Sequence, residues 1–116
     1  MMDENKKACI AYIIGVSENS LSTTVYDYGT GTFSSYSNTG RGDNFQIYDF
    51  KRSCYVMGHL SGLYDFGTSS YININKSNNS FSGYDFGTNS YFSGTISGNV
   101  VTIYDSQSSM NVYTVQ

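Results

Sequence analysis

Tyr-Asp occurs five times in this chain, at Tyr26-Asp27, Tyr48-Asp49, Tyr64-Asp65, Tyr84-Asp85 and Tyr104-Asp105. Gathered around one rim, the five carboxylates would be the oxygen-rich donor set that a hard cation such as Ca²⁺ takes. The tyrosines, with Tyr71 and Tyr91 and the rings of Tyr12, Phe33 and Tyr55 at matching positions, could stack on sugar rings while nearby Ser, Thr and Asn bond sugar hydroxyls. Each group also has a structural reading. An aspartate at the head of a turn accepts backbone N–H groups two or three residues later, and cross-strand aromatic pairs hold ribbons together. No DxDxDG loop accompanies the aspartates, so the turn role is preferred and no bound metal is expected. Tryptophan, the strongest stacking residue, is absent, which favours the structural role for the tyrosines.

Other chemistry is sparse. His59 is the sole histidine, and no Ser/His/Asp or Cys/His arrangement follows from spacing. The repeated aspartates are too alike to divide into acid and base. An enzyme is not expected, and no cofactor is implied. Arg41-Gly42-Asp43 falls at a hairpin tip, where Gly-Asp is ordinary turn chemistry; the sequons at Asn75 and Asn78 carry no weight in a protein expected to stay inside the cell. Cys9 and Cys54 lie in no CxxC motif. They are read as buried thiols of a cytoplasmic protein, and spacing leaves open whether they pair.

The chain has 116 residues, a net charge of -3 and only 13% charged residues. That bounds it to one domain, residues 1–116, and leaves no basic surface for nucleic acid. No stretch reaches transmembrane length. In "MMDENKKACIAYIIGV", Asp3 and Glu4 spoil the basic region a signal peptide needs, so the apolar run is read as a first β-strand.

The Tyr-Asp pairs recur at intervals of 22, 16, 20 and 20 residues, a repeat with variable loops. Proline is absent, tyrosine and hydroxyl residues abound, and no helical periodicity is sustained, so the chain is expected to be all-β, built of about five antiparallel hairpins. Gly98-Asn99 is a two-residue turn. It sets Ile96 opposite Val101, Gly94 opposite Ile103 and Phe92 opposite Asp105 on an apolar face, with Thr95/Thr102 and Ser93/Tyr104 on the other. An offset of 20 gives Lys76/Phe81, Ile74/Gly83 and Ile72/Asp85, and the shortest hairpin gives Gly58/Leu63 and Val56/Asp65. Ala8 to Tyr26 is expected to form a first hairpin turning around Asn19 to Leu21. Met110 to Val115 is expected to close the assembly near the start of the chain, or to lie across a neighbouring subunit. Gly29, Gly67 and Gly87 are expected to take positive φ in the turn after each Tyr-Asp.

The motifs "YDYGT", "YDFGT" and "YDFGT", each ahead of an aromatic strand, resemble the four-fold β-flower proteins, small bacterial all-β domains whose hairpins radiate about a pseudo-symmetry axis. The likeness runs from Tyr26 to Asp105. It departs at Lys51 in "YDFKRS", at "YDSQSS", and in a repeat number nearer five than four. It implies a flower or shallow barrel, with an outline similar to lipid-binding Tubby-type barrels, and no settled activity. The expected role is a non-catalytic binding or assembly module, with a glycan or protein partner or a homo-oligomer. A carbohydrate-binding module using the Tyr/Asn/Ser face comes second, and a lipid-binding module using an apolar mouth third.

Overall fold

In the computed structural model, which describes residues 2–105 and 110–116, ten antiparallel strands close into a barrel around one helix. Helix α1 (Glu4–Glu18) is followed by β1 (Thr24–Asp27), β2 (Thr32–Asn38), β3 (Phe45–Asp49), β4 (Cys54–His59) and β5 (Gly62–Asp65). Strands β6 (Ser70–Ser77), β7 (Ser80–Asp85), β8 (Ser90–Ser97), β9 (Val100–Asp105) and β10 (Met110–Val115) complete it. Neighbours in sequence are neighbours in the sheet, and β10 pairs with β1 through Val25 opposite Val115. The C-terminal strand therefore closes the barrel within its own chain, and among the described residues no sheet edge remains for strand addition.

The expected registers are those observed. Ile96 faces Val101, Gly94 faces Ile103 and Phe92 faces Asp105 across β8 and β9; Lys76/Phe81, Ile74/Gly83 and Ile72/Asp85 pair across β6 and β7; Gly58/Leu63 and Val56/Asp65 pair across β4 and β5. Strand β8 alternates buried and exposed residues along its full length, the period-2 pattern of a sheet with one wet face. Inward glycines are matched to inward rings, Phe81 opposite Gly94 and Phe92 opposite Gly83.

The N-terminal segment is a helix, not a hairpin strand. Asp3 caps it, its carboxylate accepting from the Asn5 N–H at 2.7 Å. Lys6 through Val16 are all buried, because α1 runs inside the barrel. A barrel of about eight strands can be filled by its own side chains; ten strands leave room that Ile10, Ile13 and Ile14 occupy at 0% exposure. Tyr12, expected at a strand start, instead lies in this core, stacked on Tyr36 with centroids 4.6 Å apart. Its hydroxyl donates to the Ser22 carbonyl, and burial pushes its pKa up to about 12. At Gly15 a methyl group would lie 2.4 Å from Val115, so glycine lets the helix approach β10.

The turn after Tyr-Asp also differs from expectation. Positive φ falls not at Gly29, Gly67 or Gly87 but two residues later, at Gly31, Ser53, Ser69 and Asn89. Gly67 and Gly87 occupy crowded positions instead. A methyl group on Gly67 would sit 2.7 Å from Cys54 Sγ, and one on Gly87 2.5 Å from Ser70 Oγ. The corresponding "YDSQSS" turn lies outside the described residues.

Candidate functional site

Two arrays grow from the Tyr-Asp motif, one inside the barrel and one outside, because consecutive residues of a strand face opposite ways. The inner array is the aspartates. Asp27, Asp49, Asp65, Asp85 and Asp105 end β1, β3, β5, β7 and β9, and none is more than 5% exposed. Backbone N–H groups donate to four of them as expected: Gly29 to Asp27, Lys51 and Arg52 to Asp49, Gly67 to Asp65 and Gly87 to Asp85. Side-chain partners come from a distance. Lys6 Nζ lies 2.7 Å from Asp85 and 3.3 Å from Asp65, and Lys7 Nζ lies 3.5 Å from Asp105. Arg52 bridges Asp49 at 2.7 Å and Asp65 at 2.9 Å. Thr68 and Thr88 donate hydroxyls to Asp65 and Asp85. Since Lys6 and Lys7 sit near the start of α1, the positive end of the helix dipole is directed among these carboxylates.

This array is a sealed junction between helix and barrel. Among the described residues no group of three or more His, Cys, Asp or Glu side chains is placed to hold a metal ion. Burial raises the pKa of Asp65, but the hydrogen bond and charge of Arg52, with the charge of Lys6, outweigh it and hold the carboxyl below its ordinary 3.8. A depressed folded pKa stabilises the fold fully above the unfolded value and is lost as pH falls through the folded one. The urea midpoint is therefore expected to fall as pH drops below about 3.8, and Asp65→Asn is expected to flatten that fall; unfolding titrations between pH 7 and 2 measure both.

Cys9 and Cys54 are both free thiols. Cys9 is buried in α1 as expected, whereas Cys54 is only half-buried. Burial raises both pKa values. His59 ends β4 and meets the Asp43 carbonyl through Nδ1 at 2.9 Å. Arg41 to Asp43 forms the tip between β2 and β3, with Gly42 at φ 58°.

The outer array is the tyrosines. Tyr26 packs between Tyr28 and Phe33, Tyr48 between Phe50 and Tyr55, Tyr64 between Phe66 and Tyr71, and Tyr84 between Phe86 and Tyr91, with centroids 4.5 to 4.9 Å apart. Tyr104 pairs with Met110 instead. The central tyrosine is flanked, and its neighbours are exposed to water: Phe33 is 64% and Tyr91 69% exposed. Reading the sequence for Tyr-Asp overlooks the ring two residues on, at Tyr28, Phe50, Phe66 and Phe86, although the aromatic third letter of "YDYGT" and "YDFGT" signals it.

Between these ridges lie grooves floored by the strands' outward polar residues. One, about 530 Å³, has Asn73, Asn75 and Ser82 on its floor and Tyr84, Phe86 and Tyr91 along its sides. Asn73 Oδ1 already accepts from the Tyr84 N–H at 3.0 Å, which orients the amide and leaves its NH₂ as a donor. A groove of about 350 Å³ shares Asn73 and Phe86 and adds Tyr71 and Ser61. A third, about 300 Å³, shares Ser82 and Tyr91 and adds Ser93 and Tyr104. Thus Tyr64, Tyr26 and Tyr48 belong to ridges, while Tyr71, Tyr84, Tyr91 and Tyr104 line grooves. No helix among the described residues is long and apolar enough to cross a membrane. Compared with known proteins, the chain matches no family model, no curated protein and no solved structure.

Proposed function

We propose that this protein is a non-catalytic binding module and that its ligand is carbohydrate, held in the outward grooves rather than inside the barrel. The observation that carries this reading is the groove between β6 and β8, where exposed rings stand beside an amide and hydroxyl floor. An aromatic face matches the C–H face of a sugar ring, and Asn and Ser supply donors and acceptors for its hydroxyls. A few placed polar groups beside apolar walls are what a small-molecule site requires. The lipid alternative has less support, since α1 fills the interior that an acyl chain would need. Assembly by strand addition lacks an edge, β10 being paired on both sides.

Calorimetric titration with a panel of neutral oligosaccharides tests the proposal. Tyr91→Ala is expected to weaken binding in this groove at least ~10-fold, equivalent to ~1.4 kcal/mol, and Asn75→Ala to weaken it less. Loss of the Tyr91–Tyr84 ring contact is expected to cost no more than about 1 kcal/mol of stability, so both variants should remain folded by circular dichroism. Binding unchanged in both would count against the groove.

A further inference from the structure

We infer that the module is multivalent within one chain, its grooves taking separate neutral glycan units and so cross-linking a glycan-bearing surface or polymer. The inference rests on the carbohydrate reading above.

Three neighbouring grooves share one chemistry, rings for walls and amide or hydroxyl groups for floor. They share walls as well: Phe86 stands between the first pair and Tyr91 between the second. They lie on the convex outside of a closed barrel of ten strands. Corresponding positions two strands apart, such as Tyr71 on β6 and Tyr91 on β8, therefore face directions a fifth of a turn apart. A stiff glycan chain seated in one groove runs off tangentially before reaching the next. Each groove must then engage a terminal unit or a chain of its own, and the overall avidity comes from several weak contacts.

Charge selects the class of sugar. No Lys or Arg lines these three grooves, and Asp105, the one charged residue among their linings, has its carboxylate beside Lys7. With a net charge of -3 and no cation in their linings, the grooves offer no counter-charge to uronic or sialic acids, so neutral sugars fit better than anionic ones.

The test uses cellotriose, chitotriose and mannotriose, each free and coupled in many copies to serum albumin, with the intact protein. Calorimetry with the free trisaccharide that binds is expected to give a stoichiometry above one per chain, and the albumin conjugate is expected to produce turbidity. Tyr71→Ala alters one groove, so stoichiometry should fall while turbidity persists. Tyr91→Ala alters two, so binding should persist with turbidity abolished. A wild-type stoichiometry of one without turbidity would overturn multivalency and leave the carbohydrate reading standing. Turbidity unaffected by Tyr91→Ala would also overturn it. Heat from none of the three sugars, free or coupled, would overturn both readings. Light scattering of the free protein must show a monomer, because cross-linking by a dimer of single-site chains would contradict the proposal.

Discussion

Lys6→Met is expected to destabilise the protein by about 3–5 kcal/mol, the usual cost of removing one partner from a buried ion pair. Lys6 is 2% exposed and serves Asp65 and Asp85 together. Its ammonium also donates to Thr68 Oγ at 3.1 Å. Methionine fits the same channel but leaves two carboxylates facing a low-dielectric interior with one cation fewer. Set against total stabilities of roughly 5–15 kcal/mol for domains, that loss is a large fraction. The urea midpoint with unchanged slope measures it. Adding Asp85→Asn to Lys6→Met should recover part of the loss, and the coupling energy of that double-mutant cycle isolates the pair. A loss below about 1 kcal/mol would fall in the range of an exposed pair and would mean that water reaches this junction.

Gly94→Ala is expected to cost about 1–3 kcal/mol or more through overpacking. The added methyl would lie 1.9 Å from the Thr102 carbonyl oxygen and 2.6 Å from Phe81 Cζ. A ring can turn aside, but the carbonyl belongs to the neighbouring strand β9 and can move only if the pairing of Gly94 with Ile103 shifts. Trimming the ring with Phe81→Leu should therefore restore little. Gly62→Ala is the control. No atom lies within 4 Å of its added methyl, and its stability should change by no more than about 0.5 kcal/mol. Equal effects at the two positions would contradict the packing described for β8 and β9.

These two sites show what can and cannot be read along the chain. Gly94 opposite Ile103 follows from Gly98-Asn99, because a two-residue turn sets register and alternation then sets faces. The same logic puts Asp105 on the face of Phe92, and hence inside. Lys6 is another matter. Its partners Asp65 and Asp85 stand 59 and 79 residues away, and no local rule joins them. The helix that carries Lys6 gives no periodic signal because it is buried all round, and a helix without a polar face reads as a featureless apolar run. Asp3 as a cap, followed by Glu4, was the available sign.

Turn conformation was legible only in part. Aspartate heading the turn follows from its chemistry, but the residue taking positive φ is Ser53, Ser69 or Asn89 in three of four turns, where glycine would be the first choice. The outward rings are legible from "YDFGT". The grooves between them are not, since Asn73 and Tyr91 meet only when β6, β7 and β8 pair.

The most direct measurement on the central claim is a ¹H–¹⁵N correlation spectrum of the labelled protein, titrated with the neutral trisaccharide that binds best. Shifts are expected to concentrate at outward positions, notably the Asn73 and Asn75 side-chain amides and the backbone of Ser82 and Tyr91, with Ile10, Ile13 and Ile14 of the inner helix unmoved. Shifts concentrated on α1 and the inward residues, with the groove amides still, would place the ligand inside the barrel and contradict it.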